Sequence, residues 1–437
     1  MPRLLRRRWL AAILLIALCP LHGLAADKNN SFQAALESIH ADELGHNVEF
    51  LADPKREGRE AGTPGNYAAA DYLAGQLARL HLPPAGTDRG FLQPFPPNFR
   101  NILARLPGSD AKLKDYVVLI GAHYDHLGHG IRGSKASPPG PIYLGADDNA
   151  SGASGVLQLA QAFSLLTEAP KRSIVVAFWD GEEKGLLGSK YWTAHPTVPL
   201  DHVSVMINAD MIGSLRDSHV RVFGSRSAFG LRRLVAEQNG PYSLTMDFPW
   251  PIQGNADHYS FFVQSIPVLF FHTGLHDRYH QPTDDAAHIN RDGMMQVARL
   301  MFSIAYELAN RAEAPRFRSA AAHENKEGQQ RFAEADPSPV APGDPPLRLG
   351  ISWRLDDAEP GTVVLSHVVA GSPAAAAGLR VGDRVLRLGG RDFADEAKFQ
   401  DLANKLPGPL EVLVERDGRL QVLVIRFPGE AAVKRAA

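Results

Sequence analysis

The chain has 437 residues, 46 Lys plus Arg against 48 Asp plus Glu, and 44% hydrophobic residues. This length permits two or three domains with substantial cores, and the hydrophobic content excludes disorder throughout the chain. The near balance of charge gives no bulk attraction to nucleic acid or to an anionic membrane, so we expect neither as a partner.

The first residues have the pattern of a signal peptide. MPRLLRRR is basic, WLAAILLIAL is apolar but too short to span a bilayer comfortably, and Gly23, Ala25 and Ala26 are small residues suited to cleavage. We therefore predict a signal peptide over residues 1–26 and a periplasmic or secreted protein with no stable membrane span after cleavage. An uncleaved N-terminal anchor is the alternative.

The chain has a single cysteine, Cys19, which lies inside this leader. The residues before it match a bacterial lipid-attachment box poorly, so lipidation is disfavoured. The mature chain would then have neither disulfides nor thiolate ligands, and any metal site must be built from His and carboxylates.

Residues 27–312 are predicted to form an α/β domain, in which helices sandwich a mostly parallel mixed sheet. Short apolar runs that predict strands alternate there with helical stretches. The predicted strands are residues 116–122, 173–179, 203–209 and 266–271. The predicted helices are residues 64–80, 150–166 and 291–310.

The rest of the chain is predicted to hold a second, smaller domain. Residues 313–346 are rich in Ala, Glu, Gln and Pro and end in DPSPVAPGDPP, which indicates a linker. Residues 347–428 return to short β-type runs separated by Gly-containing turns, and Asp417-Gly418 predicts a hairpin. Residues 429–437 are expected to form a tail.

Candidate metal ligands begin after the first predicted strand. In GAHYDHLG, His123 could ligate a metal while Asp125 receives the other ring N–H and fixes the imidazole. In GADDNASG, Asp148 could bridge two metals through its two oxygens, whereas Asp147 or Asn149 would satisfy a helix cap. Each motif alone also fits an ordinary surface pair or a cap.

Two further motifs place His and carboxylates after the later strands, and a third pairs two glutamates. In WDGEEKGLLGS, one of Glu182 and Glu183 could hold a metal while the other takes a proton from water. INADMIG places Asp210 after the third strand, and HDRYHQPTDD places His280 after the fourth. Because ligands collect beyond the carboxyl ends of the strands in α/β domains, this convergence predicts a metal site. Oxygen and nitrogen ligands suit zinc, and cobalt or manganese stays open.

The ordered motifs GAHYDHLG, GADDNASG, DGEEKGLLGS, INADMIG and YHQPTDD resemble the co-catalytic di-zinc aminopeptidase family over roughly residues 42–308. The resemblance implies two zinc ions per chain. One would be held by His123 and Asp210, the other by Glu183 and His280, with Asp148 as the bridge.

The same resemblance implies roles in catalysis. Glu182 would be the general base for a hydroxide that bridges the zinc pair and attacks the scissile carbonyl. Tyr279 matches a position where some relatives place a tyrosine that hydrogen-bonds the developing oxyanion, with aromatic packing as the alternative. Asp257 and His258, in ADHYSFF, would have a structural role beside the site without ligating metal.

RLGISW, VAGSPAAAAGLRVGDRVLRLGG and the final hairpin resemble a PDZ domain of the bacterial type. Ser372 and Pro373 would begin a short helix. The resemblance implies capture of a peptide or protein C-terminus, with the carboxylate bound near Leu349, Gly350 and Ile351. A degenerate module that only packs against the catalytic domain is the alternative.

Together these patterns predict an exported zinc-dependent aminopeptidase that hydrolyses N-terminal residues from peptide substrates. A carboxypeptidase or a glutaminyl cyclase on the same scaffold is one alternative, and a catalytically inactive peptide-binding scaffold is another. Retention of all five ligands and of Glu182 argues against the inactive scaffold.

Overall fold

The computed structural model describes residues 22–130, 140–334 and 348–427. Most of the predicted signal peptide, including Cys19, and the predicted tail lie outside these residues. No helix in the described ranges is both long enough and apolar enough to cross a membrane.

The first part of the chain is built on a mixed sheet of eight strands. In chain order they are β1 (Leu92–Phe95), β2 (Phe99–Leu106), β3 (Val117–His123), β4 (Ser173–Trp179), β5 (Val203–Ala209), β6 (His219–Phe223), β7 (Thr245–Asp247) and β8 (Val268–His272). Their order in the sheet is β1-β2-β4-β3-β5-β8-β6-β7. The four central strands β4, β3, β5 and β8 are parallel, and β2 and β6 join them antiparallel. The predicted mostly parallel mixed sheet is therefore confirmed.

Helices cover both faces of this sheet. In chain order they are α1 (His22–Glu37), α2 (Ala41–Leu51), α3 (Pro64–Arg79), α4 (Gly152–Ser164), α5 (Leu187–Ala194), α6 (Leu231–Gln238), α7 (His258–Phe262) and α8 (Arg291–Asn310). Every residue of β3, β4 and β5 is buried, as expected of parallel strands covered on both sides. On one face Trp192 of α5 and Phe261 of α7 pack against Trp179, with ring centroids 6.0 and 5.7 Å away.

The structure agrees with most of the predicted elements and differs at one that carries the site. The strands at residues 173–179 and 203–209 and the helix at residues 291–310 have the predicted bounds. The helix predicted from residue 150 begins at Gly152, because Ala146–Ser151 forms a separate turn in which Asp148 and Asn149 have non-helical backbone angles. Four strands, β1, β2, β6 and β7, were not predicted, since they are outer strands without a continuous apolar run.

The segment predicted as a linker contains ordered structure in its first half. Ser319–His323 is a 3-10 turn, and α9 (Lys326–Ala333) follows it. Arg318 is buried and forms an ion pair of 2.7 Å with Glu324. The Gln329 side chain of α9 accepts the backbone N–H of Trp250 at 3.0 Å, so this segment packs on the first domain.

The C-terminal part of the chain forms an antiparallel sheet with two short helices. The strands are β9 (Ile351–Leu355), β10 (Val363–Val368), β11 (Arg384–Leu388), β12 (Leu410–Arg416) and β13 (Arg419–Ile425), in the order β13-β12-β11-β10-β9. The helices are α10 (Pro373–Ala376) and α11 (Glu396–Lys405). The Ser372 hydroxyl caps α10 by accepting the N–H of Ala375, and Asp417-Gly418 forms the predicted two-residue turn between β12 and β13.

The two domains meet through a buried ion network, which we define as Arg226, Arg232, Asp356, Arg384 and Glu415. Asp356 pairs with Arg226 from the first domain and lies 2.7 Å from Arg384 of its own domain. Arg232 pairs with Glu415 at 2.9 Å.

Contacts outside this network also join the domains. Glu359 accepts the backbone N–H groups of Arg232 and Arg233 at 2.9 and 3.3 Å, so it caps the first turn of α6. The carbonyl of Asp417 accepts the N–H of Met246 in β7 at 2.9 Å.

Candidate active site

The structure brings all the predicted metal and catalytic residues to one cavity of about 550 Å³. His123 is the last residue of β3, and Asp210 follows β5 directly. Glu182 and Glu183 lie in the turn after β4, and His280 lies in the loop after β8. These four strands are adjacent and parallel, so their carboxyl ends meet at the same edge of the sheet.

Asp148 stands between the two histidines and offers one oxygen to each. Its Oδ1 lies 3.4 Å from Nε2 of His123, and its Oδ2 lies 3.0 Å from Nε2 of His280. His123 Nε2 is also 3.5 Å from Asp210 Oδ1, and His280 Nε2 is 3.4 Å from Glu183 Oε2. Two groups of nitrogen and carboxylate donors therefore share Asp148.

These separations fit the coordination of zinc. Zinc–nitrogen and zinc–oxygen bonds of about 2.0 to 2.2 Å place neighbouring ligand atoms of a tetrahedron about 3.3 to 3.6 Å apart. The charges fit as well. Burial lowers the pKa of His280, but hydrogen bonds to Asp148 and Glu183 outweigh it and raise that pKa to about 10. The raised pKa reflects the negative carboxylates around the ring, and divalent cations would neutralise their charge.

Glu182 lies beside one of these groups, with Oε2 3.9 Å from Nε2 of His123. Burial raises the pKa of the Glu182 carboxyl well above its usual value, His123 opposes the shift, and Asp257 adds to it. A raised pKa makes the carboxylate a stronger base than an ordinary glutamate, which suits a group that takes a proton.

Asp125 supports the site differently from the sequence expectation. His123 Nδ1 is 3.2 Å from the main-chain oxygen of Asp125 and 3.6 Å from its Oδ1, so the carbonyl is the acceptor. The Asp125 carboxylate instead accepts the backbone N–H groups of Glu182 and Glu183, at 3.0 and 3.4 Å. It thereby fixes the turn that presents both glutamates.

Tyr279 and Asp257 also lie at the site. The Tyr279 ring stacks on His280 with centroids 3.9 Å apart and lines the cavity. Burial raises the pKa of Tyr279, so its hydroxyl stays protonated and able to donate. Asp257 is fully buried, and burial raises the pKa of its carboxyl to about 7 while His123 opposes the shift.

Sequence reasoning missed a third imidazole in the cluster. His126 is buried, and its Nδ1 lies 2.8 Å from Glu183 Oε1 and 3.8 Å from Asp148 Oδ2. The signal was present in GAHYDHLG, which places this residue three positions after His123.

Asp147 and Asp284 hold the bridging carboxylate in place. Asp147 Oδ2 is 2.9 Å from Nε2 of His276, and its Oδ1 accepts the N–H of Gly213 at 2.7 Å. Asp284 accepts the backbone N–H groups of Asp147 and Asp148 at 3.0 to 3.1 Å. The adjacent aspartates therefore have separate roles, since Asp147 anchors the turn and Asp148 faces the cavity.

Arg59 is a second missed residue, in the upstream segment REGREAGT. Its buried guanidinium donates to the carbonyls of Tyr124, Leu144 and Gly145 at 2.7 to 2.9 Å. It thus joins the end of β3 to the loop that leads to Asp148. Burial lowers the pKa of Arg59 to about 10, while the Asp148 carboxylate opposes the shift.

In the second domain the predicted peptide loop precedes β9, the last strand of its sheet. Gly350 has a left-handed φ of 74°, and a side chain there would meet Ser372 at 2.2 Å. Ile351 begins β9, and Leu349 is fully buried. Trp353 of β9 reaches α11, where its Nε1 donates to Glu396 at 2.9 Å.

The chain matches two family models. Residues 101–305 match the model of peptidase family M28, and residues 348–426 match that of the PDZ domain. A probable zinc metalloprotease of Pyrenophora tritici-repentis is 30% identical over 197 residues, which are 43% of this chain and 38% of that protein. Aminopeptidase YwaD of Bacillus subtilis is 27% identical over 46% of this chain and 43% of that protein. The chain thus spans less than half the length of these curated relatives.

Solved structures agree on the fold of the first domain. The LapA aminopeptidase of Legionella pneumophila has a TM-score of 0.54 at 22% identity and covers 65% of this chain and 76% of its own. The zinc aminopeptidase BSAP of Bacillus subtilis has a TM-score of 0.51 at 16% identity and covers 64% and 98%. This likeness concerns the fold alone, while the family models identify a peptidase family M28 domain at residues 101–305 and a PDZ domain at residues 348–426.

Proposed function

We propose that the protein is an exported aminopeptidase that uses two zinc ions to remove N-terminal residues from peptides. The observation that carries the proposal is the position of Asp148, whose two oxygens face two different imidazoles at 3.4 and 3.0 Å. A carboxylate placed in this way suits a bridge between two ions. The basic and apolar start of the chain supports export.

The residues of the cavity have complementary roles in hydrolysis. When bound, zinc polarises the scissile carbonyl and lowers the pKa of water. Glu182 takes the proton of the attacking water and returns it to the leaving amine, so that proton transfer is internal to the site. Tyr279 donates a hydrogen bond to the developing oxyanion. The acidic end of the cavity receives the free α-amino group, and Phe223, Phe270 and Leu275 offer apolar surface to the first side chain.

We also infer that the PDZ domain binds a peptide C-terminus along β9, with its carboxylate at the loop of Leu349, Gly350 and Ile351. The last position of β9 in its sheet and the left-handed Gly350 support this. Trp353 of β9 and Glu396 of α11 are joined by a hydrogen bond between these two elements, where they would contact the peptide side chains.

The test combines metal analysis with a substrate panel. We expect about two zinc ions per chain and cleavage of unblocked and C-amidated peptides. Cleavage should be lost on N-acetylation and after chelation. A protein that needs a free C-terminus and accepts N-acetylated peptides would be a carboxypeptidase instead.

Glu182→Gln tests the general base. The variant should lose about 100-fold to 10,000-fold in kcat while it keeps both zinc ions. Glu43→Gln, at an exposed position of α2, is the matched control and should retain wild-type activity. Full hydrolysis by Glu182→Gln would refute the assignment.

A further inference from the structure

The predicted ligands form two groups of three metal donors. The site contains a further donor outside these groups. Asp148, Glu183 and His280 form one group, and the buried imidazole of His126 lies against the same two carboxylates. His126 and His280 meet edge to face, with ring centroids 5.8 Å apart and an interplanar angle of 69°. The two oxygens of Glu183 are divided between these rings, Oε1 toward His126 and Oε2 toward His280.

We propose that His126 is an additional ligand, through Nδ1, of the ion held by Asp148, Glu183 and His280. The inference rests on the zinc site of the proposed function. It makes the two metal positions unequal, because one has four protein ligands and the other has three, His123, Asp148 and Asp210.

The backbone around His126 fixes the ring where it stands. The N–H of His126 donates to the carbonyl of Arg59 at 3.2 Å. On the other side Gly145 has a φ of 59°, and a Cβ there would lie 2.5 Å from two carbons of the His126 ring. Only a glycine leaves room for the ring at this point, so the loop before Asp148 is shaped around the imidazole.

The two ring nitrogens of His126 have different surroundings. Its Nε2 is buried and has no hydrogen-bond partner among the described residues. Nδ1 lies 2.8 Å from Glu183 Oε1 and so stands inside the carboxylate cluster. Coordination through Nδ1 gives the nitrogen inside the carboxylate cluster a cation to bind. The separations of 2.8 and 3.8 Å from Glu183 and Asp148 lie on either side of the about 3.3 to 3.6 Å expected between atoms that share one zinc ion, so coordination requires small shifts of these side chains.

Because the two positions differ in their number of protein ligands, the two ions would have different roles. Four protein ligands close the coordination of zinc in structural sites, whereas three leave a position open in catalytic sites. The ion at His126 would accordingly be the tightly held one. The ion at His123 would be the more readily exchanged one, beside Glu182.

Zinc binding by the full chain tests the inference without reference to hydrolysis. Wild type, His126→Ala and His126→Asn are equilibrated with buffered free zinc, and bound zinc per chain is measured by atomic emission. The Asn side chain can donate a hydrogen bond near the position of Nδ1 but is a poor zinc ligand. His129→Asn is the matched control, since His129 lies in the same loop and bonds to the carbonyl of Gly140.

We expect wild type and His129→Asn to bind two ions with different affinities. Both His126 variants should weaken the tighter ion at least about 10-fold and leave the other unchanged. Wild-type binding by His126→Asn would overturn the inference and reduce His126 to a hydrogen-bond donor. Wild type that binds no zinc would overturn the proposed function itself.

A measurement on the wild-type protein covers the case in which the variants do not fold. In 15N-histidine-labelled protein, zinc should shift the ring nitrogens of three histidines, one of them at Nδ1. Zinc-dependent shifts in only two histidines, both at Nε2, would contradict the inference.

Discussion

Asp125 and Glu182 are joined by a hydrogen bond of 3.0 Å, in which the Asp125 carboxylate accepts the Glu182 backbone N–H. The other oxygen of Asp125 accepts the N–H of Glu183 at 3.4 Å. One buried carboxylate therefore orients both a proposed base and a proposed metal ligand.

Asp125→Asn should lower kcat/KM about 10-fold to 100-fold, a range typical of residues that orient ligands. The amide nitrogen cannot accept a hydrogen bond, so one of the two N–H groups loses its partner and the turn after β4 loosens. Steady-state kinetics measure the effect. The exposed Asp201→Asn is the control, and equal kinetics in the two variants would contradict the role of Asp125.

Tyr279→Phe separates the hydroxyl from the ring, which stacks on His280. Loss of an oxyanion donor should lower kcat about 100-fold to 1,000-fold with little change in KM. Tyr191 stacks on His195 with centroids 4.3 Å apart, so Tyr191→Phe is a control with the same ring pair outside the cavity. Unchanged kcat in Tyr279→Phe would leave aromatic packing as the only role of Tyr279.

Asp356→Ala should destabilise the folded chain by about 3 to 5 kcal/mol, because it leaves Arg226 and Arg384 buried without their shared carboxylate. Urea unfolding measures the change. Asp392 pairs with Arg233 at 3.0 Å but is 61% exposed, so Asp392→Ala should cost less than about 1 kcal/mol. Similar losses in both variants would show that the network contributes no more than a surface pair.

Glu359 makes part of the stability dependent on pH. Burial raises the pKa of Glu359 from its ordinary value of 4.5 to about 7, while Arg384 opposes the shift. A carboxyl whose pKa is raised on folding stabilises the folded state below pH 4.5, and that contribution to stability is lost as the pH rises to about 7.

Glu359→Gln removes this titration and keeps an acceptor for the first turn of α6. The melting temperature of the variant relative to wild type should therefore be higher at pH 8 than at pH 5. The exposed Glu411→Gln is the control and should show a difference that does not change with pH. A constant difference for Glu359→Gln would rule out the raised pKa.

The central strands could be predicted from the sequence because β4 and β5 are continuous apolar runs that are buried on both faces of the sheet. The short outer strands β6 and β7 contain no such apolar run, so the sequence did not predict them. The sequence could suggest His123, Asp148, Glu183, Asp210 and His280 as metal ligands because each sits in a motif after a strand or in a connecting turn.

The features that could not be predicted from the sequence depend on contacts between residues distant in the chain. Arg59 reaches carbonyls 65 to 86 residues away, and no local pattern reveals such a partner. The charges of Arg226, Arg232, Asp356 and Glu415 look like ordinary surface residues until the two domains are placed together. Helix α9 carries no buried residue, so its segment has the composition of a linker.

The contact between Met246 and Asp417 has a consequence for the chain as a whole. β7 is the last strand of the eight-stranded sheet, and the turn of the PDZ hairpin covers it. An uncovered outer strand presents free N–H and C=O groups on which strands of other molecules can add. The PDZ domain thus covers part of this outer strand, and we expect its proteolytic removal to expose the edge of the peptidase sheet to pairing with other molecules.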